Sequence, residues 1–244
     1  RIIYNSSFTE GKNFIPINGL IWMGSYDDIL KQIDKKLTEG WKCIKLKIGG
    51  IDFNNEIKLL KHIRTYFSCN ELELRVDANG AFNINEAEHK LAMLQEFNLH
   101  SIEQPIPAGN PEYMSKLCRV SPVPIALDEE LISLTSYSQF ENLIKEVKPQ
   151  YLVLKPSLLG GFSICESIIK LAEKYNIGYW VTSYLESNIG LNAIAEWVFS
   201  YGIKGCQGLG TGQLYTNNIP SPLYAANGEL RILQNSKWNL SDII

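Results

Sequence analysis

Three acidic residues that end apolar runs are the first indication of chemistry in this sequence. Asp77, Glu103 and Asp128 each end or directly follow such a run, and the steps from 77 to 103 and from 103 to 128 are 26 and 25 residues. Each step is about the length of one strand plus one helix. On neighbouring parallel strands the three carboxylates would meet at one edge of the sheet, where they would repel one another unless a cation joined them. Oxygen ligands without histidine suit Mg²⁺, so the sequence predicts a magnesium site at these acids.

Three lysines form the second set of candidate residues. Lys45 and Lys47 are two residues apart and therefore share one face of a strand, while Lys155 ends another apolar run. Ile44 and Leu46 would face a covering helix layer, which favours an inward position for both lysines; the alternative is an outward face with the lysines reaching solvent. Beside a substrate carboxylate held by a cation, a lysine could remove the α-proton, and the cation would offset the charge of the resulting enediolate.

Eight apolar runs alternate with helical patterns along the chain, and this alternation predicts a parallel sheet. Eight such units can close into a (β/α)8 barrel, the α/β TIM-barrel type, whose active site lies at the carboxyl ends of the strands. The competing architecture is a doubly wound open sheet, which would place a ligand at one switch point rather than around a ring. The predicted strands are Gly19–Met23, Cys43–Ile48, Leu72–Asp77, the three runs that end at Glu103, Asp128 and Lys155, Tyr179–Val181 and Gly205–Gln207.

Polar residues ahead of helical patterns predict where helices begin. Ser25 is expected to cap a helix over Tyr26–Thr38, and Asn85 to cap a helix over Glu86–Phe97. The histidines lie away from the predicted strand ends that would carry a site, so we expect surface or packing roles for them rather than metal ligation. They are His62, His89 and His100.

Composition excludes several classes of function. The chain has 244 residues, of which 45% are apolar, and a net charge of −3 without a basic patch, which argues against nucleic-acid binding. No apolar run is long enough to span a bilayer and no signal-peptide pattern begins the sequence, so no membrane partner is expected. The five cysteines are scattered and form no CxxC pair, which indicates reduced thiols and a cytoplasmic location. The oligomeric state stays open.

Five short motifs occur in order at the spacing of barrel strand ends. They are Lys45-Leu46-Lys47, Asp77-Ala78-Asn79, Glu103-Gln104-Pro105, Asp128-Glu129 and Lys155-Pro156. Together they resemble the enolase superfamily, muconate-lactonising subgroup, over Gly19 to about Ile219. Further segments resemble the o-succinylbenzoate synthase family within it: Asn18–Gly24, Lys155–Gly161, Ser183–Gly190 and Gly208–Leu214.

The resemblance implies a reaction. That family, in menaquinone synthesis, dehydrates a cyclohexadiene carboxylate carrying a succinyl group to an aromatic acid, so a small-molecule carboxylate is the expected partner. Asp77, Glu103 and Asp128 would bind Mg²⁺. Lys47 would take the α-proton and then return it to the leaving hydroxyl.

The remaining roles are carried over in the same way. Lys155 would stabilise the enediolate as a cation, and Lys45 would help to set the charge of Lys47. Asn79 would lie close enough to touch the substrate. Two positions match residues that would meet the succinyl arm, and these are Ser183 and Gly208.

The domain organisation departs from the family pattern. Relatives carry an α/β capping domain of roughly a hundred residues, built mainly from sequence before the barrel, and we expect residues 1–244 not to include it. We expect residues 1–18 to be a connector from that cap, 19–222 to be the catalytic barrel, and 223–244 to be a tail that packs toward the cap.

Other functions remain open at this point. Racemases and epimerases of N-acylamino acids or dipeptides in the same superfamily use the same pair of lysines. The glycine-rich run 208–212 could instead hold a phosphate in an aldolase-like barrel, with Lys155 as a Schiff-base lysine. A third possibility is an inactive fragment or a non-catalytic barrel whose mouth binds a partner.

Overall fold

The computed structural model describes residues 2–241 and has an α/β architecture. The strands from β2 (Gly19–Ile21) to β8 (Gly178–Val181) form one parallel sheet in which neighbours follow chain order. An order without reversal has no switch point, which argues against the doubly wound alternative, and the first seven predicted strands all lie in this sheet. The strands are β1 (Ile15–Pro16), β2 (Gly19–Ile21), β3 (Cys43–Lys47), β4 (Glu73–Asp77), β5 (Ser101–Glu103), β6 (Ile125–Leu127), β7 (Tyr151–Leu154), β8 (Gly178–Val181), β9 (Leu223–Ala226) and β10 (Glu229–Ile232).

Helices separate the strands of the parallel sheet. Within the described residues they are α1 (Tyr26–Thr38), α2 (Phe53–Tyr66), α3 (Ile84–Leu94), α4 (Pro111–Val120), α5 (Glu129–Ile132), α6 (Tyr137–Val147), α7 (Pro156–Leu159), α8 (Phe162–Lys174) and α9 (Asn188–Tyr201), with a 3₁₀ turn at Gln95–Phe97. The predicted first helix is confirmed, since the Ser25 side chain accepts a hydrogen bond from the Asp28 amide.

The predicted cap of α3 was wrong by two residues. Asn83, not Asn85, is the cap: it has an extended backbone, and its side chain accepts the amide of Asn85, which lies inside the first turn. The predicted end at Phe97 is also modified, because the α-helix stops at Leu94 and a 3₁₀ turn covers the last three residues. A cap needs non-helical backbone angles, and only Asn83 has them.

Successive side chains of β3 point to opposite faces of the sheet, and this alternation decides which of them point inward. Ile44 and Leu46 are buried in the main hydrophobic core. Lys45 and Lys47 lie on the opposite face and pair in register with Arg75 and Asp77 of β4. The inward position predicted for the two lysines is therefore confirmed, because burying the aliphatic side chains fixes the face that the lysines occupy.

The predicted eighth strand is present only as isolated bridges. Gln207 bridges in parallel to Ile17, just before β2, and Gly208 bridges in parallel to Thr182, just after β8. The Asn18 amide donates to the Gln207 carbonyl at 3.0 Å, and the Gly208 amide donates to the Val181 carbonyl at 2.7 Å. This short segment therefore joins the two edges of the seven-stranded sheet.

A second, antiparallel sheet joins the two ends of the chain. Strand β10 pairs with β9 in a hairpin, and it also pairs with β1, so that Ile15 lies opposite Leu230. The Ile17 amide donates to the Gly228 carbonyl at 2.8 Å, which holds the hairpin turn at the amino-terminal end of β2. The predicted connector and tail thus pair with each other; packing of the tail against a cap stays a prediction.

None of the helices within residues 2–241 is long and apolar enough to cross a membrane. The five cysteines all lie in this part of the chain, and all five are free.

Candidate active site

The acids and lysines singled out in the sequence lie at the carboxyl ends of five consecutive strands: Lys45 and Lys47 in β3, Asp77 ending β4, Glu103 ending β5, Asp128 after β6 and Lys155 after β7. A cavity of about 260 Å³ opens at this edge of the sheet, and Lys45, Lys47, Glu103 and Lys155 line it. A larger hollow of about 810 Å³ lies at the amino-terminal ends of β7 and β8, but no acid lines it. The smaller cavity therefore carries the chemistry.

Lys45 is the buried centre of the charged cluster. Its ammonium lies 2.8 Å from Asp77 Oδ2 and 2.6 Å from Glu103 Oε2, and all three residues are nearly inaccessible to solvent. Burial by itself would lower the pKa of Lys45, but Asp77 and Glu103 outweigh burial and hold that pKa above its ordinary value. Burial likewise opposes the charge of Asp77, and the two β3 lysines prevail, so the pKa of Asp77 lies below its ordinary value. These two acids therefore favour the charged form of Lys45.

Lys47 reaches further into the cavity than Lys45. Its Nζ lies 2.6 Å from Asp77 Oδ2 and 2.6 Å from Asn79 Oδ1. Asn79 adopts a left-handed conformation with φ of 43°, which asparagine tolerates. The Asn79 amide group in turn donates to Glu129 Oε1 at 2.9 Å. The Lys47 amine is therefore oriented by two acceptors, one of which is itself fixed by an acid.

Lys155 lines the same cavity and pairs with Asp128. Burial would lower the pKa of Lys155, but Asp128 and Glu103 outweigh it, so this pKa lies above its ordinary value. Lys47 and Lys155 come from β3 and from the end of β7, four strands apart in the sheet. A ligand in the cavity can therefore meet one amine from each of these strands.

Glu103 is the group whose surroundings best fit a bound cation. It is 1% exposed, and its Oε1 is buried without a hydrogen-bond partner in the described part of the chain. Burial, followed by repulsion from Asp77 and Asp128, raises the pKa of Glu103 well above its ordinary value despite Lys45. An acid that lacks a hydrogen-bond donor and lies among other acids is stabilised by a cation. Its carboxylate oxygens are of the type that Mg²⁺ prefers.

The lysines occupy the space between the acids. Among residues 2–241, no three histidine, cysteine or acidic side chains are already grouped as metal ligands. Asp77 and Glu103 meet at the Lys45 ammonium, and Asp128 meets Lys155. The donor set fits magnesium by its chemistry, while the assignment of these three acids as ligands stays a prediction.

Gln104 organises the acidic ends of the strands, and sequence reasoning missed this role. Its side chain is fully buried, and its oxygen accepts the amides of Asp128 and Glu130 at 3.2 and 3.3 Å. Its amide group donates to the Ile106 carbonyl and to Glu130 Oε2. Gln104 therefore ties the end of β5 to the start of α5. The sequence signal that could have indicated this role is the position of Gln104 directly after Glu103.

The opposite wall of the cavity contains the two residues predicted to meet a substrate arm, Ser183 and Gly208. The Ser183 hydroxyl lies 2.5 Å from that of Thr211. A Cβ on Gly208 would lie 2.3 Å from Thr182 Oγ1, so only glycine fits at this close approach. Asn18 also lines this wall, and its Oδ1 is buried without a hydrogen-bond partner among the residues that the structure describes. Sequence reasoning did not assign roles to Thr211 or Asn18.

The histidines lie outside the cavity. His62 pairs with Asp34 at 2.7 Å, and His100 packs against Tyr151 with ring centroids 4.6 Å apart. His89 is exposed on α3. The expected surface and packing roles are confirmed.

Comparison with known proteins points to one family. The model of the family described as enolase C-terminal domain-like matches residues 28–235. The o-succinylbenzoate synthase of Desulfotalea psychrophila is 52% identical over 229 residues, which is 94% of this chain and 62% of the relative. The L-Ala-D/L-Glu epimerase of Francisella tularensis subsp. novicida is 30% identical over 78% of this chain and 53% of its own length.

Solved structures agree with the sequence comparison. The crystal structure of MenC from Desulfotalea psychrophila matches 94% of this chain and 63% of its own with a TM-score of 0.86 at 52% identity. Muconate lactonizing enzyme matches 95% of this chain and 65% of its own with a TM-score of 0.81 at 20% identity, which concerns the fold alone. This chain spans less than two thirds of the length of each of these relatives.

Proposed function

Because this chain belongs to the enolase C-terminal domain-like family, we propose that it is the catalytic (β/α)8 barrel of an o-succinylbenzoate synthase-like lyase. The reaction would be the syn dehydration of a succinyl-hydroxycyclohexadiene carboxylate to o-succinylbenzoate, in menaquinone biosynthesis. The observation that carries the proposal is the pair of amines, Lys47 and Lys155, that line one cavity together with the buried acid Glu103. The identity to a relative of this activity supports the choice of substrate.

The acids at the strand ends would hold the cofactor. Asp77, Glu103 and Asp128 are the proposed Mg²⁺ ligands, and the bound ion would supply positive charge that makes the α-proton of the substrate carboxylate easier to remove. Together with Glu129, the site has four acids against three lysines. A divalent cation would reverse that balance and make the cavity attractive to a carboxylate.

Lys47 is the proposed base and then the proposed acid. Its neutral amine would take the α-proton, so that the C–H electron pair forms a double bond between the α-carbon and the carboxyl carbon, which gives an enediolate. The resulting ammonium would return the proton to the departing hydroxyl, so that the C–O bond breaks, water leaves and the ring becomes aromatic. Asn79 holds the amine from the other side, which limits the positions it can take. Both proton transfers then occur on one face, consistent with a syn elimination.

Lys155 would act as a cation rather than a base. Asp128 and Glu103 keep the pKa of Lys155 above its ordinary value, which favours its charged form. A fixed ammonium facing a developing negative charge stabilises the transition state more than the ground state. Lys45, which shares Asp77 Oδ2 with Lys47, would disfavour a second positive charge beside it. These roles place base and counter-cation on opposite sides of the substrate.

A second function remains a candidate because of the same pair of amines. Proton removal by Lys47 and return by Lys155 from the other face would invert an α-carbon, as a racemase or epimerase requires. The epimerase relative supports this reading. Steady-state rates on the dehydration substrate and on N-acylamino acids or dipeptides would separate the two functions.

We also propose that a capping domain covers the mouth of the cavity. Apolar side chains on the rim are exposed there, including Met23 at 50% and Tyr184 at 57%. Exposed apolar groups at a rim indicate an interaction surface. Closure by a cap would exclude water from the charged cluster and strengthen its electrostatics.

The decisive experiment is an absorbance assay of the dehydration in the complete protein. We expect turnover with Mg²⁺, its loss after chelation by EDTA, and its recovery when Mg²⁺ is added back. Turnover of an epimerase substrate without dehydration would favour the second function. No turnover of either substrate class with Mg²⁺ would refute both.

A further inference from the structure

A buried carboxylate outside the cavity holds the loop that directly follows Lys47. Glu56, in the first turns of α2, is 2% exposed. Its Oε1 accepts three successive backbone amides, those of Gly49 at 2.6 Å, Gly50 at 3.2 Å and Ile51 at 3.4 Å. One side-chain oxygen thus fixes the conformation of the whole β3–α2 loop.

The same loop contacts the segment that carries the other partners of Lys47. The Ile48 amide donates to the Asp77 carbonyl at 2.9 Å. Gly49 has φ of 86°, and a Cβ there would lie 2.4 Å from Ala81 Cβ, so the two loops touch without room for a side chain. The segment from Ala78 to Ala81 includes Asn79. A shift of the Glu56-bound loop would therefore move both Lys47 and its acceptor.

Stability alone does not account for this acid. Oε2 of Glu56 is buried and has no hydrogen-bond partner among residues 2–241, and an unsatisfied buried acceptor costs free energy. Burial raises the pKa of Glu56 despite the three amides and the nearby Lys90. Because burying Glu56 carries these free-energy costs, we infer that it contributes more to the geometry of the loop than to the stability of the fold.

We propose that Glu56 is a positioning residue that sets the location of the Lys47 amine through the Gly49–Ile51 loop. This inference rests on the proposed function, in which Lys47 transfers the proton. Displacing a reacting group by about 1 Å can reduce the rate about 10²-fold. Charge-assisted hydrogen bonds are roughly twice as strong as neutral ones, so an amide in place of the carboxylate would weaken the hold without removing it.

The test uses Glu56→Gln and Glu56→Ala in the complete protein with Mg²⁺. Calorimetric titration with o-succinylbenzoate gives the product dissociation constant and the number of competent sites, and kcat is expressed per competent site. We expect kcat per site to fall about tenfold for Gln and about 10²-fold for Ala, with the dissociation constant changed less than twofold. A purely structural role would lower the number of sites and leave kcat per site unchanged.

A matched control is a second buried carboxylate that also holds backbone amides. Glu196 in α9 is 2% exposed and accepts the amides of Ile3 at 2.6 Å and Tyr4 at 2.9 Å. Glu196→Gln should leave kcat per site unchanged. An equal loss in Glu56→Gln and Glu196→Gln would overturn the inference, because the effect would then belong to buried acids in general.

A measurement without substrate separates this inference from the proposed function. Acetic anhydride labels lysine amines, and mass spectrometry gives the rate at Lys47 relative to Lys155. We expect Glu56→Gln to raise that ratio severalfold, since a loosened loop withdraws Lys47 from its acceptors. If wild-type protein dehydrates nothing while the ratio still rises, the proposed function fails and the positioning role stands. An unchanged ratio would refute the positioning role.

Discussion

Replacing Lys45 by methionine should expose the charge imbalance on which the proposed cation site depends. Methionine fills a volume similar to that of lysine but removes the ammonium between Asp77 Oδ2 and Glu103 Oε2. Removing one partner of a buried ion pair typically costs about 3–5 kcal/mol, because the remaining charge is left uncompensated. Glu103 can take up a proton, since burial and its acidic neighbours raise its pKa. We therefore expect Lys45→Met to lower the free energy of unfolding by an amount near the lower limit of this range, about 3 kcal/mol.

Magnesium should reverse part of this loss. In Lys45→Met, Lys47 still contacts Asp77, but no ammonium bridges the two acids, so the variant should gain more from Mg²⁺ than the wild-type protein does. A ligand that binds only the folded state at 100 times its dissociation constant stabilises by about 2.7 kcal/mol. If the midpoint of urea unfolding of Lys45→Met were the same with and without Mg²⁺, the assignment of the acids as Mg²⁺ ligands would be contradicted.

The assay is urea unfolding at pH 7, followed by circular dichroism in EDTA and in excess Mg²⁺. The control is Lys116→Met, which removes an exposed lysine that pairs with Glu88 at the surface. That variant should keep the wild-type midpoint under both conditions, because exposed pairs contribute little. If Lys45→Met lost less than about 1 kcal/mol of unfolding free energy in EDTA, the reasoning would be refuted, since removing a buried counter-charge should cost more than that.

Three other outcomes are expected. Asp128→Asn should abolish Mg²⁺-dependent turnover in the complete protein while its circular dichroism spectrum is retained; unchanged turnover would remove Asp128 from the ligand set. Lys47→Ala should lose exchange of the substrate α-proton with solvent, measured by proton NMR, and exchange at the wild-type rate would exclude Lys47 as the base. Hydrogen bonds from Lys174 and Tyr175 lower the pKa of Glu141 from 4.5 to about 2, so its contribution to stability is present above pH 4.5 and is lost as pH falls toward 2. Glu141→Gln should flatten acid unfolding curves in that window, and superimposable curves would contradict this.

The sequence alone determined where the acids and lysines lie along the strands. Apolar runs that end in Asp77, Glu103 and Lys155 fix the ends of strands, and a side-chain period of two fixes the face. The inward position of Lys45 and Lys47 followed from the aliphatic residues that alternate with them, and it is what the structure has. These features are local, so a pattern of neighbouring residues is sufficient to predict them.

The tertiary structure decided which distant segments meet at the cavity. Ser183 and Thr211 share a hydrogen bond across 28 residues, and no periodicity links them. The sequence predicted a strand that ends at Gln207, but the structure has only single bridges at Gln207 and Gly208 between the two edges of the sheet. The three amides on Glu56 depend on a loop folding back onto a helix. Such contacts are fixed by packing and backbone hydrogen bonding between segments far apart in the chain, so the pattern of neighbouring residues does not predict them.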